Sequence, residues 1–276
     1  VYPIGERPSK DKWRDPSYRL DENPALTDRK SFVGPRMPYQ GKPMNDLIKD
    51  EEGRPLNPYG RTGLPGLGVL GKYGPNQAAD AIPRIKVDGE LYCLLTTRHD
   101  TGQVAFAGGM IDPLDSGELE RSNTAAFREL IEEALTNFKT VIQAFPNSVE
   151  ALSHKYNVSL PKDQTETSIK VWFKALLENF ESEAIYRGYV DDPRNTDHAW
   201  METTVFTYDL PLDVAKLVIK SAQAGDDAKN IAWYRYVGKK QFSKVNLTLE
   251  ATGEINVNSS QKKPKGFMPL MPIFIH

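Results

Sequence analysis

The run "SNTAAFRELIEEALTNF", residues 122 to 138, constrains this chain more than any other stretch. Phe127, Leu130, Ile131, Ala134 and Leu135 recur at helical spacing, so a helix with one apolar face is expected there. Ser122 stands where an N-cap is expected. On the polar side, residues three and four apart are neighbours, so Glu129 faces both Glu132 and Glu133. Each like-charge pair costs about 0.2–0.5 kcal/mol, which a solvated face tolerates. A hard cation reverses that repulsion, because Mg²⁺ takes carboxylate oxygens. The helix by itself leaves both readings open.

Composition excludes several classes. With 276 residues, 39% hydrophobic and 26% charged, the chain has ample material for a core. A net charge of −2 without a long basic run argues against a nucleic-acid partner. No stretch reaches the roughly 18 apolar residues of a membrane span. The single cysteine, Cys93, sits in the apolar "ELYCLL" and is expected to be a core thiol in a reducing compartment. No signal peptide is visible, and the chain begins with Val. Those two features favour an excised domain or a processed protein.

Of the 20 prolines, 12 fall in residues 1–83, and the first 60 residues hold no sustained period. An irregular Pro-rich arm or cap is expected over 1–60, with the core over 61–276. Strands are expected at 89–98, 104–107, 184–190, 199–210 and 231–237. Helices are expected at 168–180 and at 211–225, the latter with Pro211 near its start and Gly225 just past its end. "TLEATGEINVNSSQKKPKG" reads as a polar linker. Strands and helices do not alternate regularly, which predicts an α/β fold with a mixed sheet covered by helices, not a doubly wound parallel sheet.

Two motifs are decoys. "GLGVLG", residues 66 to 71, matches a dinucleotide-binding glycine pattern, and "GLGVLGKY" nearly matches a phosphate loop. Pro65 precedes the run and Pro75 follows, so the strand and helix that either motif requires are missing. The phosphate loop also needs Ser or Thr where Tyr73 stands. The four histidines show no metal spacing, and no Gly-x-Ser-x-Gly elbow is present.

Gly108 and Gly109 end a short strand, an acidic loop follows, and then comes the glutamate helix. "GGMIDPLDSGELERSNTAAFRELIEEAL" resembles the Nudix box: Gly, five residues, Glu, seven residues, Arg-Glu-apolar, one residue, Glu-Glu. The loop is five residues longer than the pattern, so Asp115, Glu118 and Glu120 all compete for the first acidic position. "GRPLNPYGRTGLPGLGVLGKYGPNQAAD", "YRGYVDDPRNTDHAWMET" and "AGDDA" extend the likeness. They are similar to the Nudix branch holding mitochondrial-type ADP-ribose pyrophosphatases and the C-terminal domains of ADP-ribose-gated melastatin channels. The resemblance covers about 53–136 and 184–237 and lapses in 137–180, where a helical insertion is expected.

The resemblance implies a Nudix α/β/α sandwich and Mg²⁺-dependent hydrolysis of ADP-ribose to AMP and ribose 5-phosphate, with Mn²⁺ as the alternative ion. Glu129, Glu132 and Glu133 become metal ligands, one of them able to act as base, and Arg128 orients Glu129. Arg194 offers a planar fork suited to phosphate, and Asp192 an acceptor for a ribose hydroxyl. Asp226 or Asp227 would bind a ribose or serve as base. Asn76, Asp80 and Gly109 are further substrate-binding candidates, and Gln77 stands where relatives commonly show His. The other class of function is a non-catalytic ADP-ribose sensor within a cation channel, whose partner would be the rest of a tetrameric channel. An intracellular location is implied: the cytoplasmic side of a membrane for a channel domain, mitochondrial or cytosolic for a free enzyme.

Overall fold

The helix expected over 122–138 forms as α1, Ser122–Ala134, in a computed structural model. That model describes residues 48–97, 103–112, 114, 119–134, 138–163, 165–223, 231–237, 242–250 and 253–259. Ala125 N donates to Arg121 O, so the helical ladder starts one residue early and Arg121, not Ser122, takes the cap position. Ala125, Ala126, Phe127, Leu130 and Ile131 are buried, as the apolar spacing requires.

The chain divides into two compact units. One comprises Ala79–Ile185 and Val205–His276 and carries the hydrophobic core. Its strands run in the order β1-β2-β7-β8-β9, from Gly74–Val87 (β1), Glu90–Thr97 (β2), Ile231–Tyr236 (β7), Phe242–Leu249 (β8) and Ile255–Ser259 (β9). Val104–Ala105 (β3) pairs with β2, and Ala107–Met110 (β4) with β1. Helix α1 packs on β4 and α5, Leu212–Gln223, on β8. The other unit comprises Val1–Ala78 and Tyr186–Thr204. It holds the first residues of β1 and parts of Ser182–Val190 (β5) and Ala199–Asp209 (β6), with β6 between β5 and β1 in the strand order. The architecture is the mixed sheet with helices that the element order predicts.

Residues 138–177 supply three helices: α2 (Phe138–Ala144), α3 (Pro146–Tyr156) and α4 (Glu166–Leu177). Pro146 begins α3, where a missing N–H costs nothing. Asn157 closes it in the left-handed region at φ 52°. Thr165 caps α4, its hydroxyl accepting from Ser168 N at 3.3 Å. Ile169, Trp172, Phe173, Leu176 and Leu177 are buried, and Trp172 Nε1 donates to Ser153 Oγ at 2.7 Å, tying α4 to α3.

The structure corrects the linker expected after residue 247. Its described residues, 248–250 and 253–259, are the end of β8 and the turn into β9, in antiparallel register from Val245 with Ser259 to Leu249 with Ile255. Glu250 N donates to Glu254 O and Gly253 N to Glu250 O, closing the turn at Gly253 (φ 81°). Ile255 and Val257 pack against the core while Asn256 and Asn258 face out. Cys93 is fully buried in β2, and burial pushes its thiol up to about 12, so it is a core residue without nucleophilic character. No helix among the described residues is long and apolar enough to cross a membrane.

Candidate active site

In the core-bearing unit, β4 brings two adjacent glycines against different partners. A Cβ on Gly109 would lie 2.3 Å from Glu129 Oε1 and 2.5 Å from its Oε2. The absent side chain lets the β4 backbone touch the Glu129 carboxylate. A Cβ on Gly108 would lie 2.2 Å from Asp80 Oδ1, 2.6 Å from Ala79 O and 2.8 Å from Asp80 Cα, all in β1. Gly109 and Asp80 therefore stand at the same short strand, one beside the glutamate helix and the other against Gly108.

Arg128 gathers the acids. Its Nη1 donates to Glu129 Oε1 at 2.7 Å and lies 3.5 Å from Glu132 Oε2. Its Nη2 donates to Glu120 Oε1 at 2.6 Å and Met110 O at 3.0 Å, and lies 3.2 Å from Asp112 Oδ2. The Glu120 bond, with Glu129 behind it, holds the guanidinium well above its ordinary range against the pull of burial. Glu120 also closes the lengthened loop: its N donates to Asp112 O at 3.0 Å, and Asp112 N donates back to Glu120 Oε1 at 3.1 Å. Those two bonds join Asp112 directly to Glu120. Asp115 and Glu118, the other claimants to the first acidic position, lie outside the described residues.

Burial pushes the Glu129 carboxyl above its ordinary value, with Arg128 opposing and Glu132 and Asp112 adding to the rise. Glu132 is about half exposed. Glu133 lies in the last turn of α1, and its side chain is outside the described residues. Among the described residues, no group of three or more His, Cys, Asp or Glu is arranged to hold a metal ion.

The raised Glu129 value gives a signed prediction. The folded chain binds that proton more tightly than the unfolded chain, so the stabilisation is full below the ordinary 4.5 and is lost as pH rises through the raised value. In metal-free protein, Glu129→Gln mimics the protonated acid and should gain stability relative to the parent between about pH 4 and about pH 7. Urea denaturation across that range measures the gap; a gap that shrinks with pH overturns the assignment.

In the other unit, "DDPRNTDHAW" is a bonded knot. Asp192 is buried and both its oxygens accept from Arg194 at 2.8 Å. Asn195 Nδ2 donates to Val190 O and Tyr189 Oη, and its Oδ1 accepts from Met201 N. Asp197 Oδ1 accepts from Thr62 N, Thr62 Oγ1 and Gly63 N. His198 Nδ1 accepts from Gly66 N at 2.9 Å, which leaves Nε2 to carry the proton toward Asp50 Oδ2 at 3.1 Å. Gly66 O in turn accepts from Thr196 Oγ1 at 2.6 Å. The glycine-rich run 66–71 is thus committed to this knot from its first residue. Asn76, also buried, spends its amide on the adjacent turn: Oδ1 accepts from Lys72 N, and Nδ2 donates to Lys72 O and Gly74 O. Asp226 and Asp227 lie outside the described residues. The sequence placed Gly108 at the end of a strand but not against β1, and it did not single out Asp197, whose partners lie about 135 residues away in sequence.

Residues 6–74 match a family model described as NUDT9-like, N-terminal domain. Over 181 residues the chain is 39% identical to putative nudix hydrolase 6 of Caenorhabditis elegans, covering 65% of this chain and 55% of the relative. It is 35% identical over 239 residues to the mitochondrial ADP-ribose pyrophosphatase of Rattus norvegicus, covering 80% and 58%. It is also 35% identical over 220 residues to the transient receptor potential cation channel subfamily M member-like 2 of Nematostella vectensis, covering 74% of this chain and 12% of that one. The chain spans little more than half the length of the first two relatives. The chain thus carries a match to a NUDT9-like N-terminal domain over residues 6–74 and is similar over most of its own length to Nudix hydrolases.

Proposed function

We propose that this chain hydrolyses the pyrophosphate of ADP-ribose to AMP and ribose 5-phosphate with the help of Mg²⁺, Mn²⁺ being the alternative. The supporting observation is the Glu129 carboxylate seated against Gly109 and tethered by Arg128. The likeness to a relative named ADP-ribose pyrophosphatase supplies the substrate. Glu129, Glu132 and Glu133 would hold the ion. Their oxygens are hard donors, and a cation offsets the cost of ionising the buried Glu129. When bound, such an ion neutralises phosphate charge and acidifies water. Glu133, in the last turn of α1, is the third ligand in this proposal. Arg128 fixes the rotamer of Glu129, and Glu132, more exposed, is assigned both ligation and proton transfer. Arg194 is assigned to a phosphate; Asn76, Asp80, Asp226 and Asp227 complete the proposed substrate contacts. An arm over 1–60 and a core over 61–276 belong to the same proposal, as does an intracellular location.

A second reading is a channel's ADP-ribose sensor, favoured by the alignment of 74% of this chain with a channel subunit. Ground-state binding and transition-state stabilisation are separable, so a sensor can bind without turnover. Chromatographic product analysis with ADP-ribose and Mg²⁺, beside Glu133→Gln, separates the two. AMP and ribose 5-phosphate from the parent alone establish the hydrolase. Saturable binding without product establishes the sensor.

A further inference from the structure

We propose that His198 is a protonation-controlled latch: the neutral ring holds the glycine-rich turn at Gly66, and the charged ring releases it while keeping Asp50. The latch goes beyond the ADP-ribose reading and lies within the unit formed by Val1–Ala78 and Tyr186–Thr204.

The ring joins two segments far from it in sequence. Nδ1 accepts from Gly66 N at 2.9 Å, and Nε2 stands 3.1 Å from Asp50 Oδ2. A neutral imidazole has one acceptor and one donor, and each is given to one of these partners. The side chain is only 7% exposed, so solvent is a poor substitute for either. The main chain of His198 is pinned on both sides. Its N donates to Thr196 Oγ1 at 3.2 Å, and its O accepts from Gly74 N at 2.7 Å.

The two partners respond to a proton in opposite ways. A second proton on the ring goes to Nδ1, which then turns a donor toward the Gly66 N–H, 2.9 Å away, and has no lone pair left to offer it. The Nε2 contact with Asp50 gains instead, because both of its groups are then charged. Burial pushes the Asp50 carboxyl up, but Arg54, donating from Nε at 2.7 Å and from N at 2.8 Å, outweighs burial and holds it below its ordinary value. Asp50 is therefore ionised between about pH 5 and pH 8, where an imidazole ordinarily titrates. Among the described residues, Asp50 meets the ring from the segment 48–57, with Arg54 bound behind it. Asp197 adjoins His198 in sequence, but its carboxylate is committed to Thr62, Gly63 and Arg61.

The side that yields is the turn. Gly66 is buried, so losing its acceptor leaves a donor unpaired, and the backbone must move to reach water or a new partner. Gly63, Gly66 and Gly68 sit at φ 81°, 79° and 60°, and glycine leaves that region as readily as it enters. The opening is local, because Gly66 O keeps Thr196 Oγ1 at 2.6 Å and Leu64 O keeps Asp197 N at 2.8 Å. Acidification thus loosens the glycine-rich run without unfolding the strand that follows His198.

The test is NMR of the unliganded protein between about pH 8 and about pH 5, following the Gly66 amide and the His198 ring together. The amide proton should move upfield as pH falls, along the same curve as the ring. His198→Asn puts an amide oxygen in place of Nδ1 and does not titrate, so there the Gly66 amide should keep its high-pH position throughout. Asp50→Asn removes the charge that favours the proton, so the His198 midpoint should fall by about one pH unit or more. A Gly66 amide that stays put while the ring titrates, or that moves equally in His198→Asn, overturns the latch. So does a ring that remains neutral down to about pH 5, or an Asp50→Asn midpoint no lower than the parent's. The two signals of the parent decide the matter even where a variant fails to fold.

Discussion

Gly109→Ala should fold normally and lose turnover by about a hundred-fold or more, because a displacement near 1 Å at a reacting group costs that much. The new methyl would overlap the Glu129 carboxylate, the far end of a flexible side chain. The chain yields there by moving Glu129, so the fold survives and the proposed ligand is displaced. Gly108→Ala is the control that separates function from folding. Its methyl would meet Ala79 O at 2.6 Å and Asp80 Cα at 2.8 Å, which are main-chain atoms of β1. They can give way only by parting β4 from β1. A loss of at least about 1–3 kcal/mol in stability is expected, the ordinary cost of overpacking. Thermal melting and AMP release on the two variants check the contrast. Full turnover in Gly109→Ala would sink the role given to the Glu129 position.

Those neighbouring glycines show how far the sequence could be read. The glutamate helix was legible because its apolar residues repeat at helical spacing, and so were α4, α5, β2 and β5 to β7. Strand β1 was not. Nine of its 14 residues are buried and only one is exposed, so it lacks the in–out alternation that marks a strand, and Pro75 and Pro83 argue against one. Strand β9 was missed for the opposite reason. Only Ile255 and Val257 are apolar in it, and its pairing with β8 supplies what composition does not show. At the candidate site, the residue types were legible but their partners were not. Asp192 offers an acceptor in the sequence; only the structure shows that Arg194 already occupies it. Glu120 stood beside Asp115 and Glu118 as equals until Arg128 and Asp112 were seen to hold it.

Asp197→Ala should be the most damaging single change in the unit formed by Val1–Ala78 and Tyr186–Thr204, costing about 3–5 kcal/mol. Its carboxylate is 4% exposed and serves as an internal anion for the "RTG" turn. Thr62 N, Thr62 Oγ1 and Gly63 N all point at Oδ1. Removing it strands donors in a site where Thr62 itself is 3% exposed, and each unpaired buried donor costs about 1–3 kcal/mol. Gly63 adopts φ 81°, a left-handed conformation that needs such support and that a side chain would strain. The ion pair with Arg61 is a different matter. Arg61 is 86% exposed and its Nε stands 3.3 Å from Oδ2, so Arg61→Ala should cost no more than about 0.5 kcal/mol. The loss therefore lies in the buried backbone donors and not in the visible salt bridge. Asp197→Asn, which retains one acceptor, should fall between the two. Urea denaturation of the three variants ranks them. An Asp197→Ala no weaker than Arg61→Ala would mean that the knot tolerates losing its anion, and that the glycine-rich turn holds its shape without help from the segment at 195–198.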